Sequence, residues 1–248
     1  MEFRQLLPGL GTVNEYELLD SLARETVPPP DRPFTIANFV MSVDGRATID
    51  GQSGGLGDDG DRAIFHGLRE HVDAVLVGTA TLRAERYGRV LGKPERRRRR
   101  VERGLGPEPL LATVTRSGEI PTDIPVFAEP EARVVIFSSA APDVTGCGAQ
   151  VEVVSLDPAQ LTLTTVVRHL RNLHGVRTLL CEGGPTLFGA LLQEDLVDDL
   201  FVTLAPKLAG GGQGPTIASG PQLAEPVPAR IAWMLERGDS LYLRYTLH

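Results

Sequence analysis

The sequence of 248 residues has little of several things, and each scarcity removes a class of protein. Its two cysteines, Cys147 and Cys181, are too few for a disulfide framework or a cysteine metal cluster, and no metal site is expected. A small buried residue is the simplest reading of each, with a free thiol as the alternative. No apolar run approaches the roughly 18 residues of a membrane span. Met1 to Leu10 contains no basic stretch followed by an apolar one, so no secretory leader is expected. Positive charge is in deficit: 25 Lys and Arg face 32 Asp and Glu, a formal net charge of −7 that gives no support to a general polyanion-binding surface. The G-x-x-x-x-G-K-[ST] phosphate loop is absent, as is the H-x-E with P-C-x-x-C of zinc deaminases. With 42% hydrophobic residues a sizeable core can form, and a soluble, cytoplasmic globular protein is expected.

Residues 1–33 read as an N-terminal helical extension with a Pro-rich linker, and residues 34–248 as one main domain. Asn14 with Glu17 resembles a capping box, and Leu18, Leu19 and Leu22 make one helical stripe. Pro28-Pro29-Pro30 then ends the helix. From Phe34 onward, short apolar runs alternate with helical periods. Phe34 to Met41, Ala74 to Val77, Leu110 to Thr115, Val134 to Phe137, Val151 to Val154, Thr178 to Cys181 and Asp199 to Leu204 read as strands. Asp61 to Glu70, Leu161 to Leu173 and Thr186 to Gln193 read as helices between them, and Arg230 to Leu235 with Leu241 to Tyr245 as a closing antiparallel pair. The alternation predicts an α/β fold with a mostly parallel central sheet flanked by helices.

Gly88 to Pro109 interrupts this pattern and carries Arg96 to Arg100, with Arg103 nearby. Like charges at that density repel, which favours a solvated, mobile loop over a phosphate-contacting arm. Gly55 to Gly60 formally satisfies G-x-G-x-x-G, but no strand runs into its first glycine. Asp58 and Asp59 would also face a pyrophosphate with like charge, so the segment reads as a loop whose acids favour the start of the next helix. Two other glycine turns each leave a strand and open a helix: Val77-Gly78-Thr79-Ala80-Thr81 and Cys181-Glu182-Gly183-Gly184-Pro185-Thr186-Leu187. Paired glycines allow close backbone approach, Pro185 suits a first helical turn, and the amides there can hold a phosphate. Either could be only a tight turn. Two at strand C-terminal ends mark the edge where open α/β sheets bind ligands. Thr115-Arg116-Ser117-Gly118 offers a guanidinium fork and hydroxyls suited to the 2′-phosphate of NADP, the alternative being an exposed arginine paired with a surface carboxylate.

Asn38-Phe39-Val40-Met41-Ser42-Val43-Asp44-Gly45, Val77-Gly78-Thr79, Thr115-Arg116-Ser117-Gly118 and Glu182-Gly183-Gly184-Pro185-Thr186-Leu187 stand in the same order as in the pyrimidine reductases of riboflavin biosynthesis. From Phe34 onward the sequence resembles their reductase domain, without the deaminase domain often fused ahead of it. The resemblance implies a dihydrofolate-reductase-like fold. It also implies NADPH-dependent reduction of a ribosylamino-pyrimidine 5′-phosphate to its ribitylamino form, with hydride reaching C1′ of the opened ribose. Carried over by position, Gly78, Thr79 and Thr81 flank NADPH, Thr115, Arg116 and Ser117 hold its 2′-phosphate, and Gly183, Gly184, Pro185, Thr186 and Leu187 hold its pyrophosphate. Asn38, Ser42, Asp44 and Thr48 line the pyrimidine or nicotinamide side. Arg62 matches an arginine that grips the substrate phosphate, and Arg89 a downstream one.

Glu85 stands at the family's acidic position after the Gly-Thr turn and, with Asp44, is a candidate for the charge beside C1′. An Asp-Gly pair also simply shapes turns. The sequence departs from the family pattern at Gly54-Gly55-Leu56-Gly57, where a Trp-Ile-Ser/Thr element is usual, and at Ala84-Glu85-Arg86-Tyr87, where an acidic pair and Pro are usual. The resemblance implies a homodimer acting on a small molecule, with no nucleic-acid or membrane partner. Two alternatives stand beside it: a same-fold reductase of a pterin or dihydrofolate, and a non-catalytic nucleotide- or nucleic-acid-binding protein using Arg96 to Arg100.

Overall fold

In the computed structural model, which describes residues 1–210 and 214–247, the chain opens on strands β1 (Glu2–Leu7) and β2 (Gly11–Asn14), then helix α1 (Glu15–Glu25). The capping box is present: the Asn14 side chain accepts from the Tyr16 and Glu17 amides at 3.0 Å, and Glu17 accepts from the Asn14 amide. Strand β3 (Phe34–Ser42), helix α2 (Asp59–His71), strand β4 (Ala74–Leu76) and helices α3 (Thr79–Glu85) and α4 (Pro94–Glu102) follow. After them come β5 (Leu110–Thr115), β6 (Arg133–Ser138), β7 (Gln150–Ser155), α5 (Leu163–His174), β8 (Thr178–Cys181) and α6 (Pro185–Gln193). Strands β9 (Asp199–Ala205), β10 (Arg230–Arg237) and β11 (Ser240–Thr246) complete the described residues.

The strands form one sheet in the order β2-β1-β10-β11-β9-β3-β8-β4-β5-β6-β7. From β9 to β7 all pairings are parallel, and from β2 to β9 they are antiparallel. Successive strand residues point to opposite faces, so Val75, Leu111, Val134 and Leu180 join one buried cluster with α1 and α2. Leu76, Ala112, Val135 and Leu179 join the other with α5 and α6. The parallel sheet with a C-terminal antiparallel pair is the architecture expected.

Two expectations need correction. Residues 1–33 are not a helical appendage on a linker, because β1 pairs with β10 and Phe3, 1% exposed, packs edge-on against Tyr242 at 5.1 Å. The Arg96–Arg100 run is not a solvated loop but helix α4. Helical spacing puts Arg96, Arg99, Arg100 and Arg103 toward α1 and α2. Glu70 accepts from Arg96, Arg99 and Arg103, and Glu15 accepts from Arg96. Burial opposes ionisation of Glu70, but these guanidinium groups hold its carboxyl below the usual range. Arg100 is 1% exposed and donates to the carbonyls of Gly106, Arg69, Glu70 and Val72. Arg98 alone of the five is exposed.

Candidate active site at the C-terminal edge of the parallel strands

Parallel strands deliver their C-terminal ends to one edge, and the turns after β4, β5 and β8 meet there around a cavity of about 630 Å³. Gly78, Thr79 and Thr81 line it from the β4 turn, Arg116 from the β5 turn, and Gly183, Gly184, Pro185, Thr186 and Leu187 from the β8 turn. Gly183 and Gly184 have φ of +100° and +64°, and a Cβ on either would press on Phe39 or on Thr81 Oγ1. That region is left-handed and favours glycine. Helix α6 starts at Pro185 with no side-chain cap, so its first amides and the positive end of its dipole face the cavity. A dinucleotide pyrophosphate fits such a cradle.

Arg116 is exposed at the rim, with its guanidinium 3.4 Å from the Pro158 and Leu161 carbonyls. Thr115 and Ser117 do not join it on the cavity wall. Their hydroxyls lie 3.4 Å apart and Ser117 Oγ accepts from the Glu119 amide, so this pair shapes the turn that presents Arg116. Thr48 also lines this cavity.

A second cavity of about 360 Å³ shares Phe39, Ser53, Thr81, Glu85 and Glu182 with the first. Asn38, Arg62 and Arg89 line it, together with His66 and Arg69, which sequence reading did not single out. Arg62 is paired by Asp59 near the cavity mouth. Arg89 is surrounded by Glu108, Glu129 and Glu131, so a phosphate there would compete with three carboxylates. Burial, followed by nearby Arg69, Arg96, Lys93 and Arg62, pushes His66 down to about 4, which leaves its imidazole neutral near pH 7.

Glu85 is half-buried on the wall between the cavities, where its Oε1 accepts from the Ser53 amide at 3.0 Å and hydroxyl at 2.9 Å. Glu182 shares that wall and is clamped: Arg69 Nε and Nη2 donate to its two oxygens at 2.5 and 2.6 Å, and Tyr87 donates at 2.8 Å. Burial, then the Glu182 charge, raises the Tyr87 hydroxyl well above its ordinary value, so it stays a donor.

Ser42 and Asp44 are elsewhere. Ser42 donates to Asp44 at 2.6 Å, and Asp44 accepts from the Ala209 and Gly210 amides, so the S-x-D-G stretch closes a turn and lines neither cavity among the described residues. The Ser42 hydroxyl and those two amides hold the Asp44 carboxyl down to about 2. The formal G-x-G-x-x-G is structural as expected: Asp58 caps α2 and accepts from Tyr242 and Ser240, and Gly60 leaves room for the Tyr242 ring.

A family model described as the RibD C-terminal domain matches residues 33–238. A 2,5-diamino-6-ribosylamino-4(3H)-pyrimidinone 5′-phosphate reductase from Methanothermobacter thermautotrophicus is 28% identical over 222 residues, covering 87% of this chain and 99% of that protein. A riboflavin biosynthesis protein RibD from Mycobacterium tuberculosis is 29% identical over 180 residues, covering 72% of this chain and 44% of that protein. A crystal structure of a pyrimidine reductase-like protein from Corynebacterium diphtheriae superposes with a TM-score of 0.73 at 21% identity, over 93% of this chain and 98% of that one. At that identity the likeness establishes the α/β fold. The matched span takes in both cavities and every turn that builds them, and the chain belongs to the RibD C-terminal domain family.

Proposed function

We propose that the protein is an NADPH-dependent oxidoreductase that reduces a ribosylamino-pyrimidine 5′-phosphate to its ribitylamino form in riboflavin biosynthesis. The observation that carries this reading is the wall shared by the two cavities, on which Glu85 and Glu182 stand between a phosphate cradle and an arginine-lined chamber. The first cavity takes the reduced nicotinamide dinucleotide, with Gly183 to Leu187 against the pyrophosphate and Arg116 toward the 2′-phosphate that distinguishes NADPH. When bound, the cofactor supplies the hydride that C1′ of the opened ribose accepts. The second cavity takes the pyrimidine and sugar phosphate, with Asn38 beside the ring and Arg62 as the phosphate's cation.

Hydride arrival at C1′ is easiest when the imine nitrogen of the substrate is protonated, and a fixed carboxylate favours that charge. Glu85 fills this role because two donors from Ser53 fix one of its oxygens at the junction. Asp44 is a turn residue in this reading. The neutral His66 adds an uncharged hydrogen-bonding group to the substrate chamber.

Two relatives that are matched over most of their own length, 99% for that from Methanothermobacter thermautotrophicus and 87% for that from Archaeoglobus fulgidus, are both named for the 2,5-diamino pyrimidinone. This supports the still-aminated pyrimidine as substrate. No helix among the described residues is long and apolar enough to cross a membrane, and Arg96, Arg99 and Arg103 are engaged by carboxylates rather than offered to nucleic acid. A small-molecule substrate is the reading these facts support, and a cytoplasmic homodimer is what the family resemblance implies. The test is NADPH consumption with the diamino pyrimidine, its deaminated form and dihydrofolate in parallel. Turnover of dihydrofolate alone would overturn the substrate assignment.

A further inference from the structure

A second cluster of chemical groups lies at the other end of the parallel strands, where β5, β6 and β7 begin and α5 ends. Glu152 on the edge strand β7 and His169 and His174 on α5 bring one carboxylate oxygen and two imidazole nitrogens within 4.8 Å of one another. The His174 side chain is 9% exposed, and its Nε2 lies 3.8 Å from Glu152 Oε1. His169 packs edge-on against Phe137 at 5.2 Å, with its ring centroid 5.6 Å from that of His174. Nε2 of His169 and Nε2 of His174 are both buried and have no hydrogen-bond partner.

We propose that Glu152, His169 and His174 bind one divalent transition-metal ion of the zinc class. Buried polar atoms are almost always paired, and two orphaned imidazole nitrogens beside one carboxylate are unusual unless a further atom joins them. The two rings do not satisfy each other, since no hydrogen bond links them. A set of two imidazoles and one carboxylate suits zinc and its neighbours and not calcium or magnesium, which prefer oxygen alone. Bound zinc draws its ligands to roughly 2.0–2.2 Å, and Glu152, 54% exposed on an edge strand, has the freedom to close the remaining distance. Solvent on the Glu152 side completes the coordination with water. The ion would fasten β7, which has a sheet partner on one side, to the end of α5. Sequence spacing hides the site because its carboxylate and imidazoles come from separate elements.

The test is a Zn²⁺ titration of tag-free, chelator-treated protein by calorimetry, with thermal melting measured in parallel. The expected result is one Zn²⁺ per chain and a melting temperature that rises with Zn²⁺, because an ion that binds only the folded state stabilises it. Glu152→Gln and His174→Gln should each weaken Zn²⁺ at least about tenfold while NADPH binding, measured at the far edge of the sheet, is unchanged. Glu152 is a surface side chain, so its variant keeps the comparison valid even if His174→Gln fails to fold. Absence of stoichiometric Zn²⁺ binding by the wild type, or wild-type affinity in Glu152→Gln, would overturn the proposal.

Discussion

Arg69 and Glu182 form a two-pronged ion pair inside the protein, and Glu182 is the residue before the left-handed Gly183-Gly184 turn. The guanidinium also lies 4.1 Å from the centre of the Phe65 ring and donates to the Val90 carbonyl, so α2 holds the floor of both cavities in place. Arg69→Met should cost about 3–5 kcal/mol of stability, because it leaves a buried carboxylate without its cation. Arg69→Lys should recover part of this, since an ammonium restores charge but not the fork. Urea denaturation gives the energy. NADPH titration of the surviving fold should show weaker binding as the glycine turn loses its anchor.

Glu85→Gln keeps the shape of the shared wall and removes its free charge. The expected outcome is a kcat lower by at least about tenfold, equivalent to about 1.4 kcal/mol on the barrier. NADPH affinity should be preserved. Asp44→Asn should leave kcat nearly intact. The reverse pattern in steady-state kinetics would move the catalytic role to the turn.

Arg116→Ala should raise the NADPH dissociation constant by about 10- to 150-fold, the equivalent of one charge-assisted contact of about 1.5–3 kcal/mol. Binding of NADH, which lacks the 2′-phosphate, should hardly change. Equal losses for both cofactors in fluorescence titrations would remove Arg116 from the cofactor site.

The arginine run divides by burial. Arg100→Ala strands four backbone carbonyls and should destabilise by several times the roughly 1 kcal/mol typical of a point change. Arg98→Ser should stay within about 0.5 kcal/mol of wild type. Replacing all five together, harmless for a solvated loop, should instead leave little folded protein, as read by circular dichroism.

His66 and Asp44 contribute to the acid-side pH dependence. His66 titrates near 4 in the fold against an ordinary value of 6.5, so the unfolded chain binds more protons between these values. Its contribution is present above pH 6.5 and lost as pH falls toward 4. Asp44 is held at about 2 against 3.8, so its contribution is present above 3.8 and lost as pH falls through 2. Denaturation across this range should show a flatter slope for His66→Gln in the upper window and for Asp44→Asn in the lower one.

The parallel half of the sheet was legible because its inner strands are buried on both faces and write themselves as short apolar runs, as in Val134 to Phe137. The glycine turn after β8 was legible because it is local, built by consecutive residues from Gly183 to Leu187. Strand β1 was not, since Glu2 to Leu7 buries one side chain deeply and pairs with a strand at the far end of the chain. Helix α4 read as a loop because its counter-charges, Glu15 and Glu70, sit on other elements. Ser42 and Asp44 looked like site residues because a hydroxyl and a carboxylate two apart serve a turn as well as a ligand. His66 and Arg69 carry no motif, and only packing brings them to the second cavity.

The pairing of β1 with β10 also fixes an order of events in time. Arg4 sits opposite Glu236, 232 residues further along. At about 5–20 residues per second, a ribosome releases the partner on the order of 10–50 s after the first strand emerges. Through that interval the nascent chain can assemble the sheet from β3 to β8 and both glycine turns, while the hairpin of β1 and β2 waits with the β10-facing side of β1 unpaired. An unpaired strand invites wrong partners, and Glu2 and Arg4, standing on either side of Phe3, are the charges that discourage them. A segment made long before β10 is therefore among the last to complete its pairing in the sheet.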